Sequence, residues 1–589
     1  MGTFAKGGSF LLSQTNPEEV FTPEDFTEEH RMILKMVSGF VTDNVLSKME
    51  DLEAQKEGLL RQLLLAAGEL GLLGADIPEE YGGFELDKIS STVIAEGMGR
   101  AGSFAMTHGG QTGIGSLPIV LFGTPEQKRK YLPEMVSGLK IGAYALTEPG
   151  SGSDALAAKT KAILSPDGKS YILNGTKQFI TNAGPADIFI IYAKVNGEQF
   201  SAFIVGRNAP GLSTGTEEKK MGIKGSSTRT LILEDVEVPV ENLLFQAGRG
   251  HVVAFNILNL GRYKLAANAL GGAKFALELA AGYANVRQQF GTPLAGFGLI
   301  QEKLAEMAIA IFAAESMVYR TGGLFDEMLR NLNVTGVQGG SGPIVAKASE
   351  EYAVECSLNK VMATEMLGYV VDEAVQIHGG YGFISEYPVE RLYRDARIYR
   401  IFEGTNEINR ILIPTTLIRR AKKGDLALQE GLERVERQLE LASAVPPRNG
   451  AADLVQAVKD LFLFTLGSGI KILGDGLLKQ QEILGRLADL AIGALAMESA
   501  WLRAEKARAR EGQEGARLKR MLAEGYIYGR IGSLKLTAAE ALAALTEGRD
   551  LEQRLAEINA LCRYEPINTV ALRRTVAESI SAAGHYVVT

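Results

Sequence analysis

The 589-residue chain reads as an α+β multidomain protein, and three features of its pattern predict this. Helical periods fill the first 141 residues, and short β-rich runs separated by turns occupy 142–248. Long helical periods then return over 249–420 and, past a Pro/Gly linker, continue to the end. We divide the chain into an N-terminal helical domain (1–141), a middle β domain (142–248), a helical bundle domain (249–420) and an all-α C-terminal domain (421–589).

The length suits several domains with cores of their own. Apolar residues at 46% and charged residues at 22% are ordinary for a soluble globular protein. A net charge of −8 and a pI near 5.5 argue against nucleic acid as a partner, because duplex binding needs a strong basic field. Cys356 and Cys562 cannot build a disulfide framework, which fits a reducing compartment. The five histidines are scattered without metal-ligand spacing, so no metal site is expected. The first 21 residues lack a long apolar core and a cleavage site, and no run approaches the roughly 18 apolar residues of a membrane span. The expectation is a cytoplasmic protein, peripheral at a membrane at most.

Taken in order, Thr22-Pro23-Glu24-Asp25 sets a cap residue, Pro at N1 and an acid at N3, and predicts a helix start. Leu59 to Leu73 is apolar around much of its circumference, as in a buried helix, and Gly71 and Gly74 stop it before the loop Ile77–Gly83. Thr124-Pro125-Glu126-Gln127 is a capping box opening another helix. At Gly142 the pattern changes to strand character, and Ala143–Thr147 leads into the turn Glu148–Asp154. Further β-rich runs, Tyr171–Leu173, Ile188–Tyr192, Phe200–Val205 and Thr230–Val238, argue a small barrel or sandwich. Nucleotide motifs fail here: no G-x-G-x-x-G opens a helix after a strand, and Ile163 stands where a P-loop ending at Ser170 needs Gly.

Val252 to Leu279 is apolar on most faces and predicts a helix buried in a bundle. The glycine-rich Asn331–Pro343 is a loop between helices, and Val445–Gly450 is a linker. Leu454–Leu466 and Leu477–Arg508 read as helices of the last domain, the second with a packed face from Leu484 to Trp501. Arg503 to Arg520 is strongly basic; it reads as a solvated helix paired with Glu505 and Glu511, or as a surface for an anionic membrane.

The stretch with the most chemistry is Gln376 to Arg410. An apolar helix breaks at His378-Gly379-Gly380-Tyr381-Gly382, a charged run follows, and then comes Ile401-Phe402-Glu403-Gly404-Thr405-Asn406-Glu407. Apolar neighbours raise a carboxylate's pKa, which suits a general base near neutral pH. The plainer reading of Glu403 is a glutamate attracted to a helix N-terminus.

This stretch resembles the C-terminal signature of the acyl-CoA dehydrogenases, flavoenzymes that oxidise acyl-CoA thioesters to trans-2-enoyl-CoA. Tyr144–Asp154 (YALTEPGSGSD) is similar to their first signature, and Phe179-Ile180-Thr181-Asn182 follows where it should. The resemblance implies an N-terminal helical domain, a middle β-barrel and a helical bundle, with FAD as cofactor. It implies Glu403 as the base removing the α-proton, while the β-hydride goes to the flavin. Thr147 and Ser153 would bond the flavin's polar edge, Thr181 would sit near its reacting nitrogen and Phe179 against its ring. Arg287, Phe290 and Gln301 match the segment that contacts adenine and pyrophosphate, often across a subunit boundary. Gln376, Gly380, Thr405 and Glu407 complete the cofactor set, and Ser153, Asn259, Arg262, Phe402 and Gly404 are assigned to substrate. Some members carry the base one residue before the arginine matched by Arg262; here that residue is Gly261, which cannot act.

Asn259–Arg262 and the long C-terminal extension resemble the very-long-chain branch, which implies a homodimer and a long-chain fatty acyl-CoA substrate. An electron-transfer flavoprotein is the implied acceptor, and fatty acid β-oxidation the implied setting. Two alternatives stand beside this: an acyl-CoA oxidase using oxygen, and a non-catalytic assembly protein of the same fold.

Overall fold

The computed structural model describes residues 4–332, 342–440, 448 and 450–588. The glycine-rich loop after Asn331 and the linker at Val445–Gly450 fall largely outside these residues.

Residues 4–26 run as a strap of single turns rather than a helix. The Thr22 capping box forms, but it closes one 3₁₀ turn, Pro23–Asp25, because Phe26 leaves helical space at φ −54°, ψ 126°. The first helix opens at Glu28 instead, where the Thr27 hydroxyl accepts the His30 N–H at 3.2 Å. Leu59–Glu69 is helical and stops before Gly71, which sits at φ +75°. The Thr124 capping box opens the helix Pro125–Val136, with both reciprocal bonds made.

The middle segment is one eight-stranded mixed sheet. Its strands are β1 (Gly142–Ala145), β2 (Lys161–Leu164), β3 (Ser170–Thr181), β4 (Ile188–Val195), β5 (Gln199–Gly206), β6 (Leu212–Thr214), β7 (Thr228–Pro239) and β8 (Leu243–Leu244). The order is β6-β7-β3-β2-β4-β5-β8, with β1 pairing β4 in parallel. The pairing of β3 with β7 slips between Lys177 and Ile180. Phe179 lies in this bulge at φ +59°, so its ring is re-aimed out of the sheet's alternation and is 58% exposed.

The bundle is built on the 37-residue helix Gly250–Val286, packed against Gly298–Asn331 and Ala353–His378. Gly271 lets this helix touch the helix Lys88–Met98 backbone to backbone: a Cβ there would lie 1.8 Å from the Glu96 carbonyl oxygen. That contact fixes the N-terminal helices against the bundle.

The C-terminal helices Gln481–Gly515, Arg517–Ala543 and Thr569–Ala583 pack on the bundle through Gly298–Asn331, and Ala451–Leu473 packs on the first two of them. Two sequence expectations change here. The basic run from Arg503 is internal in its first turns rather than solvated or membrane-facing. Arg503 is fully buried, bonded to Glu24 at 2.9 Å and Glu315 at 2.5 Å, and Lys506 reaches Asp25 at 2.6 Å. Arg510 also joins the strap, at Glu18 and Asp25, while Arg508–Glu505 and Lys519–Glu511 pair as expected. Second, residues Ala451–Lys479 are long and apolar enough to cross a membrane, yet half of that apolar window is buried. Lys459 pairs with Glu498 and Asp460 with Arg434 and Arg448 inside the protein, which marks a core helix.

Candidate active site

Glu403 stands in a tight loop between the 3₁₀ turn Arg397–Arg400 and the helix Asn406–Lys422, whose first turn is capped by the Thr405 hydroxyl. Glu403 (φ +56°) and Gly404 (φ +80°) are both left-handed, so the chain doubles back at the carboxylate. For a non-glycine residue this costs on the order of 1–3 kcal/mol and persists only if the surroundings enforce it. They do. Arg262 Nε donates to the Glu403 carbonyl at 3.0 Å, and the Gly404 carbonyl accepts from Lys360 Nζ and Asn409 Nδ2, both at 2.9 Å. Arg262 is itself held by Asn259 Oδ1 at 3.0 Å, and Asn259 Nδ2 bonds the Ser349 carbonyl at 3.1 Å.

The Glu403 side chain lies over Gly261 on the long helix: a Cβ at 261 would be 2.8 Å from Oε2. Gly261 therefore makes room for the carboxylate itself. Oε2 is buried and has no hydrogen-bond partner among the described residues. Burial pushes the Glu403 carboxyl up to about 7, although Arg262 and Lys360 pull the other way. Tyr144 of β1 is near enough to feel this charge, and its ring lies against that of Tyr192 with centres 5.1 Å apart. A carboxylate of a half-buried residue, with one buried unpartnered oxygen and near neutral acidity, is equipped to take a proton from a weak carbon acid.

On the sheet side, the turn after β1 is anchored from beneath by Glu148. Its carboxylate accepts from the Lys159 N–H at 2.6 Å, the Thr160 N–H at 3.1 Å and the buried Lys177 Nζ at 2.7 Å. This leaves Gly150, Gly152 and Ser153 exposed at the tip, with open space above both glycines. The Thr147 carbonyl accepts from the Gln178 N–H at 2.9 Å, and Thr181 pairs with Thr228. Turn and bulge are thus linked one residue before Phe179.

A second group lies at the far end of the long helix. Arg287 follows its last turn, with its guanidinium 5.5 Å from the Tyr381 ring centre, next to exposed Gln376 and Gly380. Phe290 is 94% exposed and edge-on to Phe297, whose carbonyl accepts the Gln301 N–H at 3.0 Å. Gly261 and Arg287 are separated along one helix by about 39 Å at 1.5 Å per residue. The site residues named from sequence therefore form two groups, one around Glu403 and one around Arg287. Phe402 packs on Tyr399 with ring centres 5.6 Å apart, and Glu407 is exposed in the first turn after Thr405. Sequence reasoning missed Lys360, Tyr144 and the Glu148–Lys177 pair. The available signal was slight, a lysine among mixed apolar and polar residues of the helix Ala353–His378.

Four family models match the chain: "Acyl-CoA dehydrogenase, N-terminal domain" at 27–139, its "middle domain" at 143–236, and two described as "Acyl-CoA dehydrogenase, C-terminal domain" at 248–418 and 457–559. A Bacillus subtilis (strain 168) protein described as "Probable acyl-CoA dehydrogenase" is 51% identical, covering 99% of this chain and 98% of its own. The mitochondrial very long-chain specific acyl-CoA dehydrogenase of Macaca fascicularis is 34% identical over 88% of this chain and 80% of its own. A crystal structure of acyl-CoA dehydrogenase complexed with FAD from Bacillus anthracis superposes with a TM-score of 0.97 at 51% identity, covering 99% and 100% of the two chains.

Proposed function

Because the chain belongs to the acyl-CoA dehydrogenase family and is an FAD-dependent oxidoreductase acting on acyl-CoA, we propose that it dehydrogenates long-chain fatty acyl-CoA at the α,β bond with Glu403 as base. The observation that carries this reading is the Glu403 carboxylate: buried and unpartnered at Oε2, raised to about 7 and seated over Gly261.

The residues present fit a flavin. An aromatic ring, Phe179, is left exposed on a bulge beside a glycine-tipped turn, and the orphaned Oε2 of Glu403 awaits a reacting group. Bound FAD supplies the two-electron acceptor for the β-hydrogen. Thr147, Ser153, Phe179 and Thr181 hold its ring, with Gln376, Gly380, Thr405 and Glu407 completing the cofactor set. Arg287, Phe290 and Gln301 serve the adenine and pyrophosphate end. Their distance of about 39 Å from Gly261 supports a homodimer in which each subunit completes the other's site.

Glu403 removes the α-proton, and its backbone N–H is offered to the thioester oxygen, where negative charge develops. Arg262 and Asn259 keep that loop in register from beneath, at the substrate end together with Phe402 and Gly404. The relative named very long-chain specific supports a long acyl chain as substrate, and we further propose fatty acid β-oxidation as the setting, with an electron-transfer flavoprotein as acceptor. The test isolates the base. With a 3-thia-acyl-CoA, which cannot complete dehydrogenation, the wild type exchanges the α-protons for deuterium in D₂O by mass spectrometry. Glu403→Gln should not. Undiminished exchange in that variant would remove Glu403 from the role.

A further inference from the structure

Lys360 is a lysine without contact with solvent, on the helix Ala353–His378. Its Nζ donates to two acceptors, the Gly404 carbonyl at 2.9 Å and Asn406 Oδ1 at 2.7 Å. Both flank the base, one directly after Glu403 and one at the start of the following helix. With Arg262 on the Glu403 carbonyl, two buried cations hold two successive carbonyls of the same left-handed turn. Loop anchoring alone does not explain a charge there, because Asn409 already donates to the Gly404 carbonyl at 2.9 Å. Burying an ammonium is costly unless it is paired with something that uses its charge.

We propose that Lys360 is a positioning residue of the reaction: its ammonium locks the loop that carries Glu403 and holds the Glu403 carboxyl in its ionised, proton-accepting form. The charges around the lysine are mixed: Arg262 on the long helix disfavours its charge, whereas Glu365 of its own helix and Glu407 of the helix after the loop favour it, and Cys356 faces Arg262. The sheet presents Tyr144. Burial lowers Lys360 to about 7, and Glu403 opposes that fall, so the two groups stabilise each other's charge. As pH rises past this region Lys360 loses its proton and with it the loop's second cation.

The proposal rests on Glu403 being the base, and its test separates the two ideas. In the holoenzyme, the Glu403 carboxyl is titrated by infrared difference spectroscopy, its band assigned by its loss in Glu403→Gln, alongside the pH profile of kcat/KM. Lys360→Gln keeps a donor and removes the charge. It should move both the band and the acid limb up by about one pH unit, a roughly tenfold loss below the limb with the high-pH plateau kept. Lys360→Arg should restore the wild-type midpoint. A Glu403 band unmoved in Lys360→Gln overturns the proposal, whereas turnover persisting in Glu403→Gln would overturn the assignment of the base instead. Should Lys360→Gln not hold its fold, Lys360→Met, of similar length and without charge, is titrated in its place; a band unmoved there is equally decisive.

Discussion

At the scale of the residue, Glu403 is a balance between burial, which favours its neutral form, and two cations, which favour its charge. Its folded pKa, about 7 against 4.5, is raised, so the folded state binds the proton more tightly than the unfolded chain. The associated stability is present below pH 4.5 and is lost as pH climbs through 7, amounting to about 3 kcal/mol. Glu403→Gln should therefore match the wild type in thermal unfolding near pH 4 and exceed it at pH 8, checked by calorimetry of the holoenzyme. Gly261 is the second sensitive residue. Gly261→Ala places a methyl 2.8 Å from Oε2, so the carboxylate must move, and kcat should fall about a hundredfold with the flavin still bound. The proposed base could be singled out in sequence because its motif is local, Phe402 through Thr405. Lys360 could not be, since a single lysine in a helix of mixed polarity gives no hint of acceptors more than forty residues away.

At the scale of the element, local signals were read correctly where nothing distant competes. The Thr124 box opened its helix, while the identical logic at Thr22 yielded one turn because the strap must leave to meet the C-terminal helices. The basic run Arg503–Arg520 is the clearest failure of sequence reading. Whether a helix's cations face water depends on partners elsewhere, and those of Arg503 are Glu24 and Glu315. Arg503→Met should destabilise the protein by about 3–5 kcal/mol, measured by denaturant unfolding, because the fully buried Glu315 would keep only Lys274 and Glu24 only the longer contact with Lys519. Burial alone would raise Glu24, but Arg503 outweighs it and holds the carboxyl down at about 2. The stability from that pair is complete above pH 4.5 and is lost as pH falls from there towards 2. In hydrogen exchange, the strap and the helix Gln481–Gly515 should lose protection together over that window.

At the scale of the molecule, the division into helical, β-rich, bundle and further helical segments was carried by periodicity and turn spacing, and the fold bears this out. The separation of the site into two groups was implied by the family resemblance but not by the residues themselves; it arises because the length of one unbroken helix sets Gly261 about 39 Å from Arg287. If two subunits bring the groups together, Phe290→Asp should lower FAD retention and shift the mass in analytical ultracentrifugation towards monomer. The central claim is that this chain, with Glu403, oxidises acyl-CoA. Its most direct test is anaerobic: palmitoyl-CoA is added to the FAD-bound protein and the flavin absorbance is followed. The account predicts bleaching in the wild type and none in Glu403→Gln. A wild-type flavin that stays oxidised with acyl-CoAs of every length tried would contradict it.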